Sequence, residues 1–255
     1  MGCGGDVGAN TKERPKQFSE MSKEEKEKAK KLMEEQDKDL KQEDNENEDP
    51  KLYEMYNWDD LIKKLPTQKT TGDRKKRLDL WKQINEYGNG YVSFKRLNIQ
   101  LEKYLKLPNV VKNKGPVKLA FNAACAKNAT KGREIDDSLL EWLEFRPFLI
   151  YLRQYFEYWV MFEKVDKSGD HKINLDEFKK ALPLMEKWGV KINEAETEFK
   201  KIDKNSEGTI SFEEFCEYAI NKNYLHFTFL ISSFITNDNS QNNCNKGVVV
   251  FIILI

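Results

Sequence analysis

Side chains that carry oxygen recur at a fixed spacing in a twelve-residue segment, DKSGDHKINLDE, that begins at Asp166. Calcium is a hard cation that takes six to eight oxygen ligands, supplied in such loops from positions 1, 3, 5, 7, 9 and 12. The segment offers three carboxylates, a hydroxyl and a backbone carbonyl at five of these positions, namely Asp166, Ser168, Asp170, the carbonyl of Lys172 and Glu177. The spacing therefore predicts a calcium site.

A second segment, DKNSEGTISFEE, repeats this pattern and starts 37 residues after the first. Its predicted ligands are Asp203, Asn205, Glu207, the carbonyl of Thr209 and Glu214. The alternative is a pair of acidic turns without metal, but two matches in tandem disfavour it. The pair is typical of EF-hands, in which a helix precedes and follows each loop. We therefore expect two bound calcium ions.

The two loops differ at position 6, where the backbone turns sharply and glycine is usual. The first loop has His171 there and the second has Gly208. A non-glycine residue with positive φ costs on the order of 1 kcal/mol or more, and a cost of about 1.4 kcal/mol lowers affinity roughly tenfold. We expect unequal sites, with the loop at Asp203 the more regular one, although Glu207 is longer than the usual aspartate at position 5.

Two weaker echoes of the loop lie upstream, NEYGNGYVSFKR at 85–96 and REIDDSLLEWLE at 133–144. Both keep an aliphatic residue at position 8, Val92 and Leu140, where paired loops exchange a short backbone ladder, as Ile173 and Ile210 should do downstream. The first has Arg96 at position 12, where the bidentate acid belongs. We interpret both as structural hands that do not bind calcium, the alternative being unrelated loops.

Apolar residues recur at helical spacing through most of the chain, and no alternating strand pattern appears. The pattern predicts helices over about 78–84, 94–105, 117–126, 139–165, 175–188, 194–202 and 212–221, with Pro147 kinking or interrupting the long one. The predicted fold is all-α, with calmodulin-like pairs of EF-hands and a degenerate amino-terminal pair. We divide the chain into a charged flexible tail (1–50), the degenerate pair (51–147), the calcium-binding pair (148–223) and a carboxy-terminal tail (224–255).

The two ends of the chain differ from this helical body. Residues 11–50 are mostly charged, with apolar side chains too sparse for a continuous stripe, so we expect a solvated tail or a frayed helix laced by Glu–Lys pairs that buries little surface. Residues 224–255 contain two apolar runs, each shorter than the roughly 18 residues of a spanning helix. We expect that segment to have no part in calcium binding, and translated intron is one hypothesis for it.

Composition narrows the function classes. The 255 residues carry 43 basic and 43 acidic side chains, so the net charge predicts no partner and nothing points to nucleic acid. The four cysteines are far apart and form no CxxC pair, which suits a reducing compartment rather than a disulfide or zinc framework. No nucleophile–base constellation, phosphate loop or catalytic metal motif is present, so we do not expect an enzyme.

Several stretches resemble the flagellar calcium-binding proteins of kinetoplastid protists, the calflagins: EWLEFRPFL, YWVMFEKVDKSGD, ALPLMEKWGV and FKKIDKNSEGTISFEEF. The resemblance runs from about Leu78 to Leu225. It implies four EF-hands, of which the carboxy-terminal two bind calcium. It also implies attachment to the flagellar membrane through amino-terminal myristate and palmitate.

The amino terminus fits that implication in part. Gly2 follows Met1 as myristoylation requires, and Cys3 is an adjacent palmitoylation candidate, whereas Asp6 stands where Ser or Thr is preferred. One myristoyl chain gives only marginal binding, so a second anchor is needed. Cys3 acylation or the basic segments at 12–31 and 62–82 would supply it by meeting anionic lipids, although a solvated helix face explains the same lysines.

These features support one leading hypothesis and two alternatives. The leading one is a membrane-anchored calcium sensor at the cytoplasmic face of the cilium or flagellum membrane, acting on an unknown target protein. The alternatives are a structural EF-hand protein docked on axonemal microtubules and a cytosolic calcium buffer.

Overall fold

The computed structural model describes residues 18–38, 40, 64–105, 115–129, 139–188 and 190–221. The predictions for Gly2, Cys3, the start of the 133–144 loop and the 224–255 tail lie outside these residues. The described first half begins with a short 3-10 helix, Phe18–Glu20. The further elements of that half are α1 (Lys23–Asp37), α2 (Thr71–Ile84), β1 (Tyr91–Ser93), α3 (Phe94–Leu105), α4 (Pro116–Ala129) and β2 (Leu139–Glu141).

The second half begins with a long helix that links the two halves. Its elements are α5 (Trp142–Val165), β3 (Lys172–Asn174), α6 (Leu175–Lys187), α7 (Ala195–Ile202), β4 (Thr209–Ser211) and α8 (Phe212–Asn221). The all-α fold class with paired EF-hands is therefore confirmed. Three details differ: α2 begins at Thr71 rather than near residue 78, residues 139–141 form β2, and α5 continues without interruption through Pro147. The proline removes one helical hydrogen bond, while its buried neighbours Phe145 and Phe148 anchor that turn in the core.

Two short antiparallel ladders pair the loops at the expected position. Val92 lies opposite Leu140 in the first ladder, and Ile173 lies opposite Ile210 in the second. All four side chains are fully buried. The upstream segments are therefore a genuine pair of hands, and the alternative of unrelated loops is wrong.

One hydrophobic core runs through both pairs, and α5 carries it from one to the other. Near the start of α5, the ring centroid of Phe145 lies 5.1 Å from that of Trp81 on α2. Near its end, the ring of Phe162 lies 5.6 Å from Phe215 of α8. The boundary that we placed between residues 147 and 148 therefore falls inside a continuous helix. Among the described residues, no helix is both long and apolar enough to cross a bilayer.

The amino-terminal charged segment is only partly as expected. Helix α1 does form, capped by Ser22 and Glu25, with an exposed ion pair between Glu24 and Lys28. The expectation that the segment buries little surface is wrong for its described part, because Phe18 and Met33 are each 3% exposed. Their partners are distant in the sequence, so the local pattern did not reveal the packing.

Candidate metal centre

The first predicted site is formed by the loop between α5 and α6. Asp166 caps the carboxyl end of α5, and Asn174 caps the amino end of α6, where its side chain accepts a hydrogen bond from the amide of Glu177. The Glu177 carboxylate in turn accepts one from the amide of Asn174. The loop is thus closed by the same local interactions that start and end its helices.

The acids at positions 1 and 12 are turned toward the loop. Asp166 accepts hydrogen bonds from the amides of Gly169 and His171, both at 2.8 Å, and from the Ser168 hydroxyl at 3.1 Å. Oε1 of Glu177 accepts from the amides of Lys167 and Ser168 at 3.0 and 2.9 Å. The position-12 carboxylate therefore reaches back across the loop to its first residues.

The second loop, between α7 and α8, has the same arrangement. Asp203 accepts from the amides of Glu207 and Gly208 at 3.1 and 2.9 Å. Oε1 of Glu214 accepts from the amides of Lys204 and Asn205, and its Oε2 from the amide and hydroxyl of Ser211. Both loops thus hold their terminal acids in equivalent places.

The two position-12 acids have perturbed pKa values. Burial alone would raise the pKa of Glu177, but hydrogen bonds from the amides of Asn174, Ser168 and Lys167 outweigh it and lower the pKa. Burial would likewise raise the pKa of Glu214, but hydrogen bonds from Ser211, Asn205 and Lys204 outweigh burial and lower it. Both carboxylates are therefore ionised at neutral pH, which is the form that binds a cation.

The donor set fits calcium better than a softer metal. Each loop offers three carboxylates at ligand positions, with a hydroxyl or amide oxygen between them, and hard oxygen ligands are what calcium takes. Lys172 and Thr209, the predicted carbonyl ligands, begin strands β3 and β4. The ion would be held in the first loop by Asp166, Ser168, Asp170, Lys172 and Glu177, and in the second by Asp203, Asn205, Glu207, Thr209 and Glu214.

Backbone strain is shared by the two loops rather than confined to the first. His171 at position 6 has φ 60°, as the sequence predicted. Position 4 also needs positive φ, and there the first loop has Gly169 while the second has Ser206, with φ 58°. Each loop therefore contains one glycine and one strained residue. Position 6 alone does not reveal the strain at Ser206, so the expected inequality of the sites loses part of its basis.

His171 has partners that sequence reasoning did not find. Its Nδ1 lies 3.2 Å from Oε1 of Glu163, and its ring centroid lies 5.8 Å from that of Trp159. The hydrogen bond to Glu163 is the main cause that raises the pKa of His171, which burial opposes. The only signal in the sequence was helical spacing, since Glu163 lies on the last turn of α5.

The helix–loop–helix units, their ladders and their acidic loops define an EF-hand protein. The EF-hand domain pair family matches residues 161–220, and the FCaBP EF-hand domain family matches residues 61–152. The chain is 36% identical over 173 residues to flagellar calcium-binding protein TB-24 of Trypanosoma brucei brucei, covering 65% of this chain and 76% of that protein.

Two further relatives give the same result. Identity to the flagellar calcium-binding protein of Trypanosoma cruzi is 30% over 163 residues, covering 64% of this chain and 77% of that protein. Identity to flagellar calcium-binding protein TB-17 of Trypanosoma brucei brucei is 33% over 192 residues, covering 74% of this chain and 79% of that protein. The chain therefore belongs to the family of flagellar calcium-binding proteins.

Proposed function

We propose that this chain binds two calcium ions, in the loops at 166–177 and 203–214, and acts as a calcium sensor at the cytoplasmic face of the flagellar membrane. The observation that carries the proposal is the placement of the position-12 acids. Glu177 and Glu214 each hydrogen-bond to residues 2 and 3 of their own loop, beside the acid at position 1. The EF-hand domains and the names of the relatives support calcium as the ligand and the flagellum as the location.

A sensor role needs an apolar surface that calcium can uncover. The helices around the two loops bury such side chains between them: Met161, Phe162, Met185, Phe199 and Phe215 are each at most 5% exposed, and Leu184 packs against the same core. Calcium opens the helix pairs of sensor EF-hands and exposes a hydrophobic groove. The same opening here would present these side chains to a target protein.

Trp159 reports on that opening. Its ring centroid lies 4.7 Å from that of Phe212, the first residue of α8, in an edge-to-face contact. Movement of α8 away from α5 would change its fluorescence. We expect calcium to shift the tryptophan emission and to increase binding of a hydrophobic dye. Trp159→Phe should abolish the emission shift alone. The double variant Glu177→Gln plus Glu214→Gln should abolish both signals.

A calcium buffer is the outcome if calorimetry detects calcium binding while the emission and dye binding stay unchanged. If calorimetry detects no calcium heat at all, the proposed sites themselves are wrong. The two results separate failure of the sensor role from failure of metal binding.

Membrane anchoring is the second part of the proposal, and its residues are Gly2 and Cys3. Mass spectrometry of the native amino terminus tests both acyl groups at once. We expect detergent to release the protein from flagella, and Gly2→Ala to abolish its membrane association. Retention with the detergent-insoluble cytoskeleton would support the axonemal alternative.

That alternative has one structural feature in its favour. Helix α2 exposes four basic side chains, which suit an acidic surface such as a tubulin tail: Arg74, Lys75, Lys76 and Lys82. Arg77, which the sequence placed in the same patch, does not belong to it. Its guanidinium is buried and donates to the carbonyls of Pro66 and Gln68 at 2.7 and 2.6 Å.

A further inference from the structure

Position 12 of the first degenerate loop carries a buried cation. The Arg96 side chain is 1% exposed, although it stands where an EF-hand places its metal-binding glutamate. An ionised side chain removed from water needs close partners of opposite charge. The residues that enclose Arg96 therefore reveal what this hand binds.

The guanidinium of Arg96 has partners from its own loop and from α1. Within the loop it ion-pairs with Glu86 and lies over the ring of Tyr87, 4.6 Å from the ring centroid. Its partner on α1 is the carboxylate of Asp37. Nε and Nη2 of Arg96 lie 3.1 and 3.0 Å from Oδ1 of Asp37. Residues 37 and 96 are 59 positions apart in the chain, so this contact is tertiary.

The loop also caps the carboxyl end of α1. The last carbonyls of a helix lack donors within the helix, and its negative end disfavours an acid such as Asp37. Arg96 donates to the carbonyl of Gln36 at 3.1 Å, and Lys95 donates to that of Asp37 at 2.7 Å. The Ser93 hydroxyl hydrogen-bonds to Oδ2 of Asp37. Loop positions 9, 11 and 12 thus all engage the same helix end.

An apolar contact extends the docking surface. Phe18, Ala29 and Met33 form a small buried cluster with Tyr91 and Leu139, the first residues of β1 and β2. The rings of Phe18 and Tyr91 meet edge to face, with centroids 5.3 Å apart. These two strand residues occupy position 7 of their loops. Helix α1 therefore covers the ladder of the degenerate pair at one place and its position-12 residue at another.

We propose that the degenerate first hand is a carboxylate-binding site, in which Arg96 is the cation and Asp37 of α1 is the ligand. A calcium-binding hand uses carboxylates to hold a cation, whereas this hand uses a built-in cation to hold a carboxylate. Docking of α1 is therefore independent of calcium. It also limits the reach of the amino terminus, since Phe18 follows Gly2 by 16 residues, which span at most about 55 Å.

Hydrogen exchange of the full-length protein tests the site, with two single-atom changes compared. Asp37→Asn removes the charge of the proposed ligand and keeps its shape. Glu86→Gln is the matched control, because Glu86 also pairs with Arg96 but lies in the loop, with a side chain 48% exposed. We expect Asp37→Asn to speed exchange of the 23–37 amides at least tenfold, and Glu86→Gln to change it less than twofold, in calcium and in chelator alike.

Three results would overturn the proposal: unchanged exchange of α1 in Asp37→Asn, equal acceleration in the two variants, or loss of wild-type α1 protection when calcium is chelated. Arg96→Lys adds a test of geometry, since it keeps the charge but not the planar fork. It should release α1 nearly as much as Asp37→Asn does. Far-UV circular dichroism checks that each variant is folded, and the Asp37→Asn arm decides the question even if the arginine variant is not. Because the contacts involve neither calcium loop, this outcome is independent of the proposed sensor function.

Discussion

The fully described loops of the two pairs have similar backbone conformations but carry different side chains at the ligand positions. Positions 4 and 6 have positive φ in all three loops that the structure describes in full, with Gly88 and Gly90 in the degenerate one. Each pair also joins its loops by a three-residue ladder. At position 12 the loops of the second pair carry Glu177 and Glu214, whereas the first degenerate loop carries a buried arginine, Arg96. Loop geometry therefore survives loss of the metal ligands, because turns and ladder maintain it.

Removal of the position-12 acids should give the largest difference between the pairs. We expect the double variant Glu177→Gln plus Glu214→Gln to lower the calcium affinity of each site by at least about 100-fold, equivalent to about 2.7 kcal/mol. Titration calorimetry measures this change. The matched control is Glu144→Gln, at position 12 of the second degenerate loop, which should leave the calcium heats unchanged. Equal losses in both variants would show that the amino-terminal pair also binds metal.

Truncation of a buried side chain should lower stability by a similar amount in either ladder, but it should lower calcium affinity in only one of them. Leu140 and Ile210 are fully buried at the same loop position, so Leu140→Ala and Ile210→Ala should each cost about 2–5 kcal/mol in chelator, as measured by denaturant unfolding. Only Ile210→Ala should also weaken calcium binding, because its ladder joins the two metal loops. Reduced calcium heats in Leu140→Ala would contradict this separation of the pairs.

The helix shared by both pairs should make stability depend on pH. Burial raises the pKa of Glu157, on α5, from its ordinary value of 4.5 to about 7, and Arg153 only partly opposes it. The folded protein therefore holds this proton more tightly than the unfolded chain. The stability that it contributes is complete below pH 4.5 and is lost as pH rises toward 7.

Glu157→Gln should consequently stabilise the protein at pH 8 by up to roughly 3 kcal/mol and have little effect at pH 4. Urea unfolding at the two pH values measures this difference. Glu186→Gln, an exposed change of the same type on α6, is the control and should change the stability by less than about 0.5 kcal/mol at both pH values. An equal effect of Glu157→Gln at both pH values would rule out titration as its cause.

The smallest effect should come from the strained loop residues. His171→Gly and Ser206→Gly each relieve one positive-φ residue, so each should tighten its own site by up to about 1 kcal/mol, or roughly fivefold. Gly208→Ala should weaken its site similarly, because no atom lies within 4 Å of the added Cβ and only backbone strain remains. Calorimetry with the other site disabled measures each change. A gain for His171→Gly alone would restore the inequality expected from position 6.

Much of this fold is encoded over short distances. The ligand positions, the helix spans of the second half and the pairing at position 8 depend on spacing within about a dozen residues, as in Asp166 to Glu177. Periodicity reports such features directly. The extra strain at Ser206 was also local, but it required knowing that position 4 adopts positive φ.

Contacts between distant segments decided the rest. Spacing alone identified Asp166, Glu177, Asp203 and Glu214 as candidate ligands, because a loop brings its own residues together whatever surrounds it. Only the tertiary structure placed Phe18 and Met33 of a charged segment on the first ladder, and only it joined Asp37 to Arg96. Burial and ion pairing over 59 residues depend on which surfaces meet in the folded chain, and no local pattern of residues carries that information.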